Sequence, residues 1–163
     1  DGLCDPAFFQ SNGPFRGAKG DLTEGGLRVP LLVRWPGRVK AGATNDTPVA
    51  LWDLFATAAE LAGATNAPPS DSASLVPTLL GKPLPKPREF LYWETHEPTF
   101  RQAIRAGDWK GIRAGTNGTM ELYHLARDPG EARNLAADYP VVVKHLETLL
   151  KSARTESNVW ETK

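Results

Sequence analysis

The chain has 163 residues, with 19 basic and 19 acidic side chains, 40% hydrophobic and 23% charged. That is enough for one domain, or one domain plus part of another, with an ordinary globular composition. Zero net charge argues against a general nucleic-acid binder, no run is apolar enough to span a membrane, and the lone Cys4 excludes an intrachain disulfide or a multi-cysteine metal site.

The first residues of the given sequence do not read as a secretory leader. It starts at Asp1 and its only methionine is Met120, which predicts a processed product or an excised fragment. The count of 15 glycines and 14 prolines predicts many loops.

Residues 1–30 carry no helical or strand period. Within and just beyond them lies a glycine-rich stretch, residues 13–37, holding Arg16-Gly17-Ala18-Lys19-Gly20, Glu24-Gly25-Gly26 and Trp35-Pro36-Gly37. Residues 10–42 hold six basic side chains (Arg16, Lys19, Arg28, Arg34, Arg38, Lys40) against Asp21 and Glu24, so positive charge is concentrated here in a neutral chain. Glycines on both sides of Lys19 allow a tight turn and close approach to a ligand, and a lysine ammonium is a compact charge suited to an oxyanion. The stretch is not a phosphate-binding P-loop, which needs Gly-Lys followed by Ser or Thr.

Residues 31–35 form a short apolar run that reads as a strand buried on both faces. Residues 38–46 are polar loop. Thr47 as N-cap and Pro48 at the first position predict a helix. Leu51, Leu54, Phe55, Ala58, Leu61 and Ala62 form its buried face, and Gly63 ends it. Residues 65–74 are a connector, residues 75–80 a short helical turn ending at Gly81. Residues 82–88, with Pro83, Pro85 and Pro87, are extended, and a subdomain boundary is expected here, dividing 1–81 from 82–163.

Beyond it the period changes to two. Strands are predicted over 89–93, 101–106, 109–113 and 119–124, with Gly107-Asp108 as a tight hairpin turn, giving a four-stranded antiparallel meander. Asp128-Pro129-Gly130-Glu131 is a turn. Asp138 and Pro140 open a last helix whose face of Val142, Leu146, Leu149, Leu150 and Ala153 covers the sheet. Residues 154–163 read as a frayed tail anchored by Trp160. His124 reads as structural, His145 as surface, and Trp93, Trp109 and Tyr123 as core aromatics.

These strings resemble the second half of the formylglycine-dependent sulfatases, the arylsulfatase family of the alkaline-phosphatase superfamily. The matching pieces are Asn12-Gly13-Pro14-Phe15-Arg16-Gly17-Ala18-Lys19, Glu24-Gly25-Gly26-Leu27-Arg28-Val29-Pro30 and Trp35-Pro36-Gly37. Further on come Phe90-Leu91-Tyr92-Trp93-Glu94, Gly107-Asp108-Trp109-Lys110, Glu121-Leu122-Tyr123, Asp128-Pro129-Gly130-Glu131 and Asn134-Leu135, so the resemblance covers nearly the whole chain. It implies an α/β fold: the C-terminal part of an alkaline-phosphatase-like α/β domain over 1–81, then a small α+β subdomain over 82–163.

The same resemblance implies a function. Lys19 would be the catalytic residue that touches the sulfate, stabilising its charge and protonating the leaving oxygen. His96 and Glu97, on a loop facing the active-site rim in the family, would bind the non-sulfated part of the substrate. The parent enzyme would use calcium and a formylglycine nucleophile made from Cys-x-Pro-Ser-Arg. Cys4-Asp5-Pro6-Ala7-Phe8 lacks that serine and arginine, and Asp1-Gly2 does not reproduce the family's Asp-Asn calcium pair. No metal is therefore expected on this chain alone, which is expected to be inactive by itself. The partners implied are a sulfated small molecule or glycan and the upstream part of the same protein, in an exported compartment, with no nucleic acid or membrane. Self-association through open sheet edges is expected of the isolated chain. A related phosphatase or phosphonate-ester hydrolase, and a non-catalytic domain binding sulfated glycan or protein, are the alternatives. Salt-sensitive binding by this chain alone, lost in Lys19→Ala, would favour the last.

Overall fold

Alternating residues in the second half build one antiparallel sheet. In the computed structural model, which describes residues 6–157 and 159, its strands are β1 (Leu91–Thr95), β2 (Arg101–Ala106), β3 (Trp109–Ala114) and β4 (Glu121–His124). They pair in the order β1-β2-β3-β4, the predicted meander, with the first and last strands starting two residues later than expected. Ala106 pairs with Trp109, which leaves Gly107 and Asp108 as the turn; of the two only Gly107 has positive φ, at 58°. That is the pattern of a hairpin turn with glycine at its first central position.

Each sheet face has its own core. On one, Ile104 and Leu122 pack with Met120 against Leu146, Leu149 and Leu150 of helix α5 (Pro140–Ala153). Gly111 makes room there, since a Cβ would stand 2.6 Å from Met120 Sδ. On the other face Ala103, Ile112 and Tyr123 pack with Leu22, and with Leu27 and Trp93 at the margin. The N-terminal segment thus covers the face that α5 leaves open. It contributes two single helical turns, α1 (Pro6–Phe9) and α2 (Glu24–Leu27).

The expected fraying after α5 does not begin at Arg154. Its Nε donates to Glu94 Oε2 at 3.0 Å and its side chain is nearly buried. Trp160 and Cys4 lie outside the described residues. His145 is exposed, and His124 ends β4 with its ring 4.6 Å from Trp109.

Residues up to Val29 form one unit with those from Glu89 onward; Pro30–Arg88 form a second. In the second unit, helix α3 (Asp53–Leu61) starts five residues after the expected Pro48. Asp53 Oδ2 accepts from Ala50 N at 2.7 Å and holds residues 50–53 as a turn instead of a first helical turn. Asp53 and Thr57, not the apolar stripe, are the buried side of α3. Asp53 also accepts from Ala73 N and Arg88 Nη2, and Thr57 Oγ1 accepts from Leu75 N, just before α4 (Val76–Leu79). Leu51, Leu54, Phe55 and Leu61 are exposed. The strand expected at 31–35 is absent and Leu32 is 93% exposed. Both departures have one cause: a strand exists only in a ladder, and an apolar face is buried only against another. The described residues of this unit supply neither a second strand nor a facing apolar layer.

Candidate functional site

The Lys19 loop is built on glycines in backbone conformations that other residues adopt only with strain. Gly17 and Gly20 take φ of 81° and 95°, and a Cβ at Gly17 would stand 2.1 Å from Thr23 Oγ1. Asn12 Nδ2 donates to Gly17 O at 2.6 Å. Ala18 N donates to Asp21 Oδ2, and Asp21 N returns a bond to Ala18 O, each at 2.9 Å. Beneath the loop runs the Gly25-Gly26 pair: Gly25 N donates to Arg16 O at 2.8 Å. A Cβ on Gly25 would come within 2.4 Å of Gly17 O, and one on Gly26 within 2.2 Å of Asp21 O. Lys19 projects from the tip, exposed, with no ion pair to a described residue.

Three side chains tie this loop to the sheet. Arg16 lies over the Tyr123 ring, 4.9 Å from its centroid, and 3.5 Å from Glu121 Oε2. Partial burial works against its charge, but the Tyr123 hydrogen bond and the carboxylates of Glu131 and Glu121 outweigh it and raise its pKa. Asp21 Oδ1 meets Arg101 Nη2 at 3.5 Å.

The third tie is buried. Lys110 of β3 is wholly inaccessible, and its Nζ stands 2.9 Å from Glu24 Oε1 and 2.9 Å from Glu131 Oε1. Glu131 Oε2 in turn accepts from Glu24 N at 2.7 Å. Glu131 holds a left-handed φ of 54° at the end of the 128–131 turn. Asp128 fixes that turn by accepting from Ala132 N and Arg133 N, bonds that lower its pKa. Glu24, Lys110 and Glu131 were each legible only as pieces of three separate motifs. The one local signal was a lysine on the same strand face as Ile112, an inward position that a charge occupies only with partners.

His96 and Glu97 sit on the β1–β2 loop. His96 Nε2 is 3.2 Å from Glu94 Oε1, its ring 4.9 Å from Phe100; Glu97 is exposed. Glu94 also accepts from the Tyr92 hydroxyl at 2.6 Å and from Arg154. Burial would raise its pKa, but hydrogen bonds from Tyr92 and His96 and the charge of Arg154 hold it below the ordinary carboxylate value. Arg101, which opens β2 directly after this loop, reaches Gly20 O and Asp21, so the loop bearing His96 and Glu97 leads into the strand that contacts the Lys19 loop. A cleft of about 430 Å³ lies alongside, bounded by Arg16, Asp21, Thr23, Arg101, Arg113 and Glu121. Among the described residues no three His, Cys, Asp or Glu side chains gather as a metal site.

Residues 19–156 match the family model described as N-sulphoglucosamine sulphohydrolase, C-terminal. The chain is similar to the N-acetylgalactosamine-6-O-sulfatase of Bacteroides thetaiotaomicron, 33% identical over 95% of this chain and 34% of that protein. It is 34% identical to the human N-acetylgalactosamine-6-sulfatase over 91% of this chain and 36% of that one. Among solved structures, Ps i-CgsB in complex with k-i-k-neocarrahexaose superposes with a TM-score of 0.77 at 28% identity, over 86% of this chain and 32% of that one. The chain therefore spans about a third of the length of the relatives it matches.

Proposed function

The chain belongs to the sulfatase family as its C-terminal portion, and from that membership we propose that it supplies the sulfate-contacting lysine and the substrate rim of a sulfate-ester hydrolase. The observation that carries this reading is the placement of Lys19: an exposed ammonium at the tip of a loop whose backbone is bonded at Arg16, Gly17, Ala18 and Asp21. Negative charge on sulfate oxygens must be neutralised as the ester bond breaks, and a cation already fixed in place does so without reorganisation. The same ammonium can give its proton to the leaving oxygen. His96 and Glu97 would contact the part of the substrate beyond the sulfate, which the names of the relatives suggest is a carbohydrate.

Calcium, which the family resemblance implies for the whole enzyme, finds no ligand cluster among the described residues. By that resemblance the nucleophile and the metal ligands would come from the upstream part of the protein. That part would also cover Leu32, Val33, Leu54 and Phe55, the apolar side chains of the second unit that lack a facing layer.

The test is Lys19→Ala in the full-length protein, assayed on 4-nitrophenyl sulfate. Loss of one fixed charge-stabilising group lowers kcat by about 10²–10³ in comparable sites, and a loss of that order is expected. Unchanged turnover would overturn the assignment of Lys19. Hydrolysis of a phosphonate or phosphate ester with none of a sulfate ester would replace the sulfatase reading with its superfamily alternative.

A further inference from the structure

We propose that Glu24, Lys110 and Glu131 are positioning residues: their buried ion trio fixes the Lys19 loop on strand β3 and the 128–131 turn, so the C-terminal sheet sets where the Lys19 ammonium stands. This rests on the reading of Lys19 given above. The bonds inside the loop make it one body but leave open where that body sits. Polar links join it to the sheet through Arg16, through Arg101 and through the trio. Arg16 with Glu121, and Arg101 with Asp21 and Gly20 O, all meet at 3.5 Å and are only partly buried, so solvent and salt weaken them. Leu22 adds apolar adhesion, which has no direction. The trio alone combines burial, two directional bonds (Lys110 Nζ to Glu24 Oε1 at 2.9 Å and Glu24 N to Glu131 Oε2 at 2.7 Å), an ionic contact of Lys110 Nζ with Glu131 Oε1, and two distant anchors, Lys110 being 86 and Glu131 107 residues from Glu24 in sequence.

The route to Lys19 is short. Glu24 is held by its carboxylate through Lys110 and by its N–H through Glu131. The next N–H, of Gly25, bonds Arg16 O, and Gly26 lies directly under Ala18 O, 2.6 Å from where its Cβ would be. A shift at Glu24 thus passes through close backbone contacts to Arg16 and to Ala18, three residues and one residue before Lys19. The 128–131 turn touches the same segment, since a Cβ on Gly130 would stand 2.9 Å from Pro14 O. A reacting group displaced by about 1 Å can lose about 10²-fold in rate, so a fixed trio is worth more to catalysis than its place in the core alone requires.

The experiment compares Lys110→Met and Glu131→Gln with the parent full-length protein. Amide exchange is followed at Ala18, Asp21 and Gly25 in the loop and along β2–β3, and kcat and KM are measured on 4-nitrophenyl sulfate per folded molecule. Expected are faster exchange at the three loop amides with β2–β3 protection retained, and a fall in kcat of about tenfold or more. Glu131→Gln keeps the side-chain shape and serves if Lys110→Met does not fold. Loop amides that stay protected, or that lose protection only in step with the sheet, would overturn the proposal. If Lys19→Ala retains full turnover the sulfatase role fails instead, and the exchange pattern still decides whether the trio fixes the loop.

Discussion

Lys110 Nζ and Glu24 Oε1 lie 2.9 Å apart, with the lysine wholly buried, and join a strand of the C-terminal sheet to a turn 86 residues earlier. Two motifs far apart in the chain are in this way one object, and the third, around Glu131, closes it.

Lys110→Ala is expected to destabilise the sheet unit by about 3–5 kcal/mol, because it leaves two carboxylates buried without their cation. Replacing all three together, as Lys110→Met with Glu24→Gln and Glu131→Gln, should cost much less, since no uncompensated charge remains. Urea denaturation of the single and triple variants measures the difference. Equal losses would mean that lost packing, not stranded charge, is the dominant cost.

Gly26→Ala is expected to cost at least about 1–3 kcal/mol and to displace the Lys19 loop, as overpacking does in a closed space. The new methyl would stand 2.2 Å from Asp21 O and 2.6 Å from Ala18 O, both backbone atoms that cannot rotate away. Turnover and thermal midpoint should fall together. An unchanged midpoint would show that the loop has room the packing does not suggest.

Local chemistry made the sheet, the Gly107-Asp108 turn, helix α5 and the exposed Lys19 loop legible in the sequence, because period, turn residues and glycine placement are all local signals. The strand expected at 31–35 and the buried face expected on α3 fail for the opposite reason. Leu32 and Phe55 have the right composition, but burial is a relation between two surfaces. What replaced the expected helix start was also relational: Asp53 bonds Ala50, Ala73 and Arg88, and only the first is near in sequence. The trio was illegible as such because its members lie in three distant motifs: Lys110, at an inward strand position, signals a partner but not which one, and Glu24 and Glu131 read alone as ordinary surface charges.

The exposed apolar side chains of the second unit give a third expectation. Leu32, Leu51, Leu54 and Phe55 are all on the surface, Leu32 at 93%. The isolated chain is expected to self-associate through such patches and through the outer strands β1 and β4. Light scattering over a tenfold concentration range should show mass rising with concentration, and Leu32→Lys with Leu51→Lys should reduce it. A constant monomer mass would remove the expectation.

Glu94 supplies the last, a pH dependence. Its pKa lies below the ordinary value: burial opposes this, but the Tyr92 and His96 hydrogen bonds and the Arg154 charge prevail. A carboxyl whose folded pKa is depressed stabilises the fold above its unfolded value, and the contribution is lost as pH falls through the folded one. Stability of the sheet unit should therefore decline from about pH 5 downward, where carboxyls of ordinary pKa near 4.3 begin to protonate. Asp128, also depressed by backbone bonds from Arg133 and Ala132, acts in the same window and the same direction. Glu94→Gln should lower stability at neutral pH, because Arg154 loses a carboxylate partner and keeps the exposed Glu156, and should flatten the acid limb; Asp128→Asn should flatten it independently. Denaturation midpoints between pH 3 and pH 7 separate the two. An acid limb as steep in Glu94→Gln as in the parent would show that the network joining β1 to the end of α5 carries none of the pH dependence.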